Sequence, residues 1–376
     1  MSNALQCRVT RGEMSKDDAV AVEMALEDLR TYWEKAFGAG SFLLEEETPE
    51  RKADLELLIG SAENLPGIAA LVKQGKLEDL QPPEQGFALD IVKTGERRTA
   101  VLRAGDRLGL QYAVYGLAEQ FLGVRFVHPL LDLQPPPPLP TELHLVESPS
   151  RSLRVLYETS HVLDGGWGTE SKVSHFSDAI AWRWEDWAGQ PERMRHFLAW
   201  GVKNRANTVV FDDTIFHCGK TELKPFIVSE AVWACLEARG LKTIVWCGPG
   251  YTWKHPAGAY SPDDRCNHTA ARVGPWDKHL CVGKPAFWKD ADDFMDKLAP
   301  YARHLAGMWT NWQENVCGEG VTEGHPDGVI HSDSGQVYDM NSAHFRQPVL
   351  SKGGGCTTCG HLENVDKWVK HLDYLR

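Results

Sequence analysis

Four short apolar runs separated by amphipathic helices constrain the second half of this chain more than any other feature. The runs are LRVLYETS (153–160), TVVFDDT (208–214), KTIVWCG (242–248) and GMWTNWQE (307–314). Helical spacing follows three of them, in PERMRHFLAWGVKNR, SEAVWACLEARG and FWKDADDFMDKLAPYARHLA, and NVDKWVKHLDYLR supplies a fourth helix. Apolar strands alternating with amphipathic helices specify a parallel sheet, because a parallel neighbour is reached only through a crossover and the crossover helix covers the sheet. Four such units are half of a (β/α)8 barrel. A complete barrel takes about 250 residues, and residues 151–376 spend much of their length on long segments after the strands. The sequence therefore predicts a TIM-barrel-type domain that stops in mid-barrel, at about four βα units.

Ahead of these units stands QPPPPLP at 134–140. Proline removes a backbone donor and fixes φ, so this run is neither helix nor central strand. Residues 134–150 are expected to be a stiff linker between an accessory α/β domain over 1–133 and the barrel domain over 151–376. Within the first domain, residues 17–38 place apolar side chains at helical spacing after an acidic start and stop at Gly38, a complete helix signal. ADLELLIGSA reads as a strand entering a glycine turn, and LPGIAALVKQG as a short helix. GFALDIVKTGERRTAVLRAG reads as two strands joined by a turn at Thr94, Gly95 and Glu96. DRLGLQYAVYGLAEQFLG is a helix ending at Gly123, and VRFVHP closes the unit as a strand. The expected fold class is α/β, a small α+β domain followed by the partial barrel.

Charge and composition narrow the function classes. Lysine and arginine number 40 against 52 acidic residues, a net charge of −12, with no basic cluster to track phosphates, so nucleic acid is not an expected partner. No stretch approaches the roughly 18 apolar residues of a membrane span, and MSNALQCRVTRGEM carries no apolar signal-peptide region, so a soluble and cytoplasmic chain is expected. Nine cysteines, an odd and scattered set, read as mostly reduced and buried. Of 14 tryptophans, 13 follow residue 150, many among Gly, Pro, His and Asp. Indole faces suit stacking on sugar rings, although Trp200, Trp233, Trp288 and Trp368 sit in helical patterns and read as core.

DRLGLQYAVYGLAEQFLGVRFVHP resembles the segment that closes the N-terminal domain of family 67 α-glucuronidases, their relatives, and β-hexosaminidases. The matching positions are Gly109, Tyr112, Tyr115, Gly116, Leu122, Gly123, Val124, Arg125 and Phe126. MRHFLAWGVKNRANTVVF is similar to the first barrel helix and second strand of that group, with its Asn-Arg-x-Asn run. GLKTIVWCGPG stands in the place of the third strand. HLCVGKPAFWKDADDFMDKLAPYARHLAGMWTNWQENVC resembles the passage through a Cys-x-x-x-Pro turn and a helix into the fourth. The likeness covers residues 17 to about 317. It departs after the third strand, where relatives often carry histidine and this chain has Pro249 and Tyr251, with His255 further on. No Asp-Glu pair closes the fourth strand, which counts against a mechanism assisted by a substrate acetamido group.

Barrel active sites lie at the C-terminal ends of the strands, which selects Glu158, Asp212, Asp213, Trp246, Trp312 and Glu314. Glycoside hydrolysis needs two carboxyl groups, one protonated to donate to the leaving oxygen and one ionised to activate water or attack the sugar. The resemblance puts a catalytic carboxylate at the end of the fourth strand and so implies Glu314 as the acid, with Trp309 and Trp312 beside it to desolvate the carboxyl. It also implies that the second carboxylate comes from later strands, in which case this chain alone is inactive. Glu158, Asp212, Asp213, Trp246, Trp253, His255 and Trp312 are expected on a carbohydrate substrate, although strand-end aspartates equally fix loops through backbone amides. Lys254, His255 and Arg265 read either as positive charge for an acidic sugar or, equally, as a solvated loop. The rival reading is a non-catalytic carbohydrate-binding or assembly module on a truncated barrel.

No cofactor is required by this chemistry. Cys317, then Cys356-Thr-Thr-Cys359-Gly-His361, offer ligands for a structural tetrahedral zinc, against a disulfide or free thiols in a glycine-rich loop. Glu319 stands beside that set, and Cys266 with His268 is a weaker metal pair. Residues 318–355 lack periodicity and read as one long loop. An unpaired half-barrel edge seeks a partner, so either poor solubility or a homodimer is expected.

Overall fold

The computed structural model describes residues 5–44, 53–94, 97–128, 131–157, 191–212, 230–247, 261–264, 280, 284–310, 329–331 and 337–339. The chain divides into two compact units, one of Met1–Leu156, Pro191–Val209 and Glu230–Lys242, the other of Tyr157–Gln190, Val210–Ser229 and Thr243–Arg376. Among the described residues no helix is long and apolar enough to cross a membrane.

The first unit is built on a six-stranded mixed sheet. Its strands are β1 (Cys7–Arg11), β2 (Phe42–Leu44), β3 (Leu55–Ile59), β4 (Phe87–Thr94), β5 (Arg97–Ala104) and β8 (Leu143–Glu147), in the order β2-β1-β3-β5-β4-β8. β1 pairs in parallel with β2 and β3, and β3 with β5. β4 runs antiparallel to both β5 and β8. The hairpin register runs from Phe87↔Ala104 to Thr94↔Arg97, which puts the turn where the Thr-Gly-Glu signal lies. β6 (Arg125–His128) and β7 (Leu131–Leu133) form a separate antiparallel ribbon.

β8 lies inside residues 134–150, expected to be linker. The prolines themselves are neither helix nor strand, but LHLVE beyond them alternates in burial and joins the sheet as an edge strand, where only one side of the backbone needs a partner.

The helices follow the sequence closely. α1 (Lys16–Phe37) starts at Ser15, whose hydroxyl accepts from the Asp18 amide, and buries Ala21, Val22, Ala25, Leu26, Leu29, Tyr32 and Trp33 along one stripe. This is the i, i+3, i+4 spacing of an amphipathic helix. α2 (Pro66–Lys73) begins on a proline, whose missing amide costs nothing in a first turn. α3 (Arg107–Leu122) is capped by the Asp106 carboxylate on the Gly109 amide and ends at Gly123, which sits at φ 71°, ψ 14°. Only glycine takes that left-handed conformation without strain. α3 is buried on nearly all faces because it contacts β4 and β5 on one side and α1 on the other. There Trp33 stacks on Phe121 at 5.5 Å between centroids.

Two further helices belong to this unit, α4 (Pro191–Lys203) and α5 (Glu230–Arg239), which pack on each other and on α3 and α1. The expected boundary assigned them to a domain beginning at residue 151. The physical reason for the difference is a set of buried cations at their C-terminal ends, described below.

The second sheet has four strands in the order β12-β11-β10-β9, namely β9 (Val155–Tyr157), β10 (Thr208–Asp212), β11 (Lys242–Cys247) and β12 (Gly307–Thr310). All four apolar runs read from the sequence are present. Their direction follows from the bonds at their starts: Asn207 N donates to Arg154 O (3.0 Å), Lys242 N to Asn207 O (2.9 Å) and Ala306 N to Thr243 O (2.7 Å). Strand starts therefore neighbour strand starts. β11 and β12 pair in parallel from Ile244↔Gly307 to Cys247↔Thr310. The protein is thus mixed α/β, with sheets that are mostly parallel.

α6 (Pro285–Leu298) precedes β12. The continuous helix expected over 287–306 breaks there into a 3-10 segment, Ala299–His304, at Pro300, which lacks the amide that would continue the α-helical ladder. β13 (Val329–His331) and β14 (Val337–Asp339) form an antiparallel pair within the segment read as one loop. Cys7 and Cys235 are free and buried, and burial pushes both thiol pKa values up.

Candidate functional site

Because β9 to β12 run the same way, their last residues, Tyr157, Asp212, Cys247 and Thr310, stand along one edge of the sheet. In open and closed parallel sheets alike that edge is where ligands are handled, since every strand delivers its following loop there. Asp212 is the final residue of β10, and Trp246 is the penultimate residue of β11, in register with Trp309 of β12. The structure brings these candidate positions to a common edge. Glu158 and Asp213 directly follow Tyr157 and Asp212 in the chain. Glu158, Asp213, Trp253, Lys254, His255, Arg265, Trp312 and Glu314 lie outside the described residues. So do the metal candidates Cys266, His268, Cys317, Glu319, Cys356, Cys359 and His361. Among the described residues no group of three metal-ligating side chains forms.

In the first unit, polar chemistry is concentrated where α4 and α5 end. Lys203, 8% exposed, donates from Nζ to the Tyr32 hydroxyl (2.7 Å) and lies 3.1 Å from Asp132 and 3.8 Å from Asp28. The rings of Tyr32, Tyr115 and Phe126 surround its ammonium with centroids at 5.4, 5.9 and 5.4 Å, a cation–π cage. Tyr32 in turn donates to Asp132. Arg239, also buried, donates from Nη1 to Gln111 Oε1 (3.2 Å) and to the Tyr115 hydroxyl (3.1 Å), and Tyr115 donates to Asp28 (2.8 Å).

Burial is the main cause that pushes both phenols well above their ordinary pKa, reinforced at Tyr32 by its bond to Asp132 and opposed at Tyr115 by Arg239. Both phenols therefore stay protonated as donors. These bonds tie α1, α3, α4, α5 and β7 together.

A cavity of about 380 Å³ opens beside the end of β8. Its wall includes Gln85, Phe87, Tyr112, Arg154 and Arg205, with residues Glu147–Ser150 at one side. Arg205 sits at φ 66° and pairs with Glu119 (2.7 Å) and Glu147 (3.3 Å). Asn207 Nδ2 donates to Gln85 Oε1 (2.8 Å), and the Asn207 side-chain oxygen accepts from the Arg154 amide (2.9 Å). Sequence reasoning did not select Gln85, Arg154 or Arg205 as site residues. The available signal was the Asn204-Arg205-Ala206-Asn207 run and Tyr112, read as marks of resemblance rather than as a polar cluster.

No protein-family model matches the chain, and comparison with curated proteins finds no match. Solved structures do show similarity. The N-acetyl-β-hexosaminidase of Streptomyces plicatus in complex with thio-NAglucal is 13% identical over 80% of this chain and 53% of that one, with a TM-score of 0.39. A GH20 exo β-N-acetylglucosaminidase from Vibrio harveyi in complex with N-acetylglucosamine is 12% identical over 80% of this chain and 42% of that one, TM-score 0.42. A GH138 enzyme targeting pectin rhamnogalacturonan II is 14% identical over 84% and 32% respectively, TM-score 0.41. This chain spans about half the length of the first and less of the other two.

Proposed function

We propose that the chain carries part of a glycoside hydrolase of α-glucuronidase-like type, acting on an oligo- or polysaccharide by general acid/base catalysis at the C-terminal edge of the parallel sheet. The observation that carries this reading is the sequential parallel order β9 to β12, which gives Asp212 and the segments starting at Glu158, Asp213 and Gly248, and the one leading to Glu314, a common edge of departure. In this scheme the Glu314 carboxyl donates its proton to the leaving glycosidic oxygen as the C–O bond breaks. A second, ionised carboxylate directs water or attacks the anomeric carbon. Trp246, Trp253 and Trp312 offer faces for the sugar ring, Glu158, Asp212 and Asp213 accept from its hydroxyls, and His255 with Lys254 and Arg265 favours an acidic substituent.

The test is hydrolysis of aryl glycosides and glucuronoxylan fragments, with molar mass from light scattering on the same fractions. A folded dimer whose activity falls by at least about 100-fold in Glu314→Gln, the scale of losing a general acid, supports the reading, including completion of the site by a second copy. A folded chain that binds these sugars without turnover supports a carbohydrate-binding module instead and overturns the assignment of Glu314.

A further inference from the structure

The cavity beside β8 carries two features that point to a ligand. Gln85 is 9% exposed and held at φ 57°, a left-handed conformation that costs a non-glycine residue energy. Its Oε1 accepts from both Arg154 Nη2 (2.8 Å) and Asn207 Nδ2 (2.8 Å), which fixes the amide orientation. The opposite end, Nε2, is left on the cavity wall with two N–H donors that meet no hydrogen-bond partner among the described residues. Those donors are open to the cavity and free to meet an acceptor there.

Arg154 is the second feature. Its Nε donates to Arg205 O (2.6 Å), Nη1 to Arg151 O (2.9 Å), and Nη2 to Gln85 and to the Tyr112 hydroxyl (3.3 Å). Every one of these acceptors is neutral, and Arg154 has no carboxylate in ion-pair range among the described residues. Arg205 beside it has two. A half-buried guanidinium whose acceptors are all neutral keeps its positive charge for an anion in the adjoining cavity. The buried Tyr112 ring carries both guanidiniums, at 5.6 and 5.8 Å from its centroid, and Phe87 lies under Arg205 at 5.4 Å, so the rings hold the cations in place behind the cavity. The exposed side offers the Ser148 and Ser150 hydroxyls and the Glu147 carboxylate.

We propose that this cavity is a binding site for a small hydroxylated carboxylate. Its acid group faces Gln85 and Arg154, and its hydroxyls face Ser148, Ser150 and Glu147. A volume of about 380 Å³ admits a ligand of monosaccharide size. The proposal stands on residues of the first unit alone and does not require the glycosidase reading.

Calorimetric titration of the full chain with D-glucuronate, D-glucose and acetate tests it, since the first two differ in the carboxylate and the third lacks hydroxyls. Glucuronate is expected to bind at least about 10-fold more tightly than either, the scale of one charge-assisted contact. Gln85→Glu keeps both bonds accepted by Oε1, replaces the two donors with an acceptor and neutralises Arg154. It is expected to lower glucuronate affinity at least about 30-fold with an unchanged or higher melting temperature. Ser150→Tyr, at an exposed position, is expected to block the mouth and abolish binding without moving the melting temperature. Glu314→Gln is expected to leave this binding untouched, which separates it from any sugar bound at the strand edge. Equal affinity for glucuronate and glucose, no binding at all, or binding that survives both Gln85→Glu and Ser150→Tyr overturns the proposal.

Discussion

The C-terminal ends of α4 and α5 and the C-terminal edge of the parallel sheet are both rich in polar residues, yet they use them in opposite ways. At the helix ends Lys203 and Arg239 are buried, and each finds its acceptors within the same layer: Tyr32 and Asp132 for the first, Gln111 and Tyr115 for the second. At the sheet edge position is set by strand direction, with Asp212 as the last residue of its strand and Glu158 and Asp213 next in sequence after β9 and β10. A charge that closes on a partner stabilises a fold. A charge set where a strand ends is, in the proposed function, kept for a ligand. The contrast separates a residue's conspicuousness in sequence from its use, since Lys203 and Arg239 resemble ordinary solvated helix ends until their partners, far away in the chain, are known.

The contrast can be broken most forcefully at Lys203. Lys203→Met removes the cation and leaves Asp132 and Asp28 with the Tyr32 and Tyr115 hydroxyls but no countercharge, which is expected to cost about 3–5 kcal/mol, read from urea unfolding. A loss below about 1 kcal/mol, the range of a surface pair, would mean that the cage is dispensable. Leu29→Ala, at a fully buried position on α1, provides a purely apolar reference at about 2–5 kcal/mol.

Gly123→Ala forces a Cβ into the left-handed cap of α3 and is expected to cost about 1 kcal/mol. At the sheet edge, Asp212→Asn is expected to change stability by less than about 0.5 kcal/mol while weakening substrate binding. A large stability loss there would place Asp212 with the closed networks instead.

The smallest effect is a slope with pH. Tyr32 and Tyr115 have raised pKa values in the fold, whereas an unfolded tyrosine ionises near pH 10. Above that pH the unfolded chain releases protons that the fold retains, so stability is expected to be full below about pH 9 and to fall as pH rises beyond 10. Phenolate absorbance should appear together with unfolding. Its appearance before unfolding would mean that these phenols are accessible.

The elements that sequence made legible are those whose signal is local. The stripe and acidic start of α1, the turn residues between β4 and β5, and the four apolar runs each carry their own period or breaker, and each is present. β1 and β8 were not read because five residues are too few for a period to stand out in the sequence, and β8 lies close behind a proline run. The cationic ends of α4 and α5 were not legible for a different reason: Lys203 meets Tyr32 across 171 residues and Arg239 meets Tyr115 across 124, and no window along the chain contains such a pair. Barrel logic put Asp212 and Trp246 near the ends of their strands, which is where β10 and β11 carry them. The polar wall of the β8 cavity was hidden by its dispersion among Gln85, Tyr112, Arg154 and Arg205, which no single motif unites.

The first unit takes in residues up to Leu156, then Pro191–Val209, then Glu230–Lys242. A ribosome making this chain has therefore produced the acceptors Asp28, Tyr32, Tyr115 and Asp132 long before it makes Lys203 and Arg239. Until residue 242 clears the exit tunnel the first sheet waits with its helix layer unfinished and its acidic partners unanswered. The unit that starts first thus closes only with segments made well after its sheet, and a gene cut at the proline run would part the aspartates from the cations that complete them.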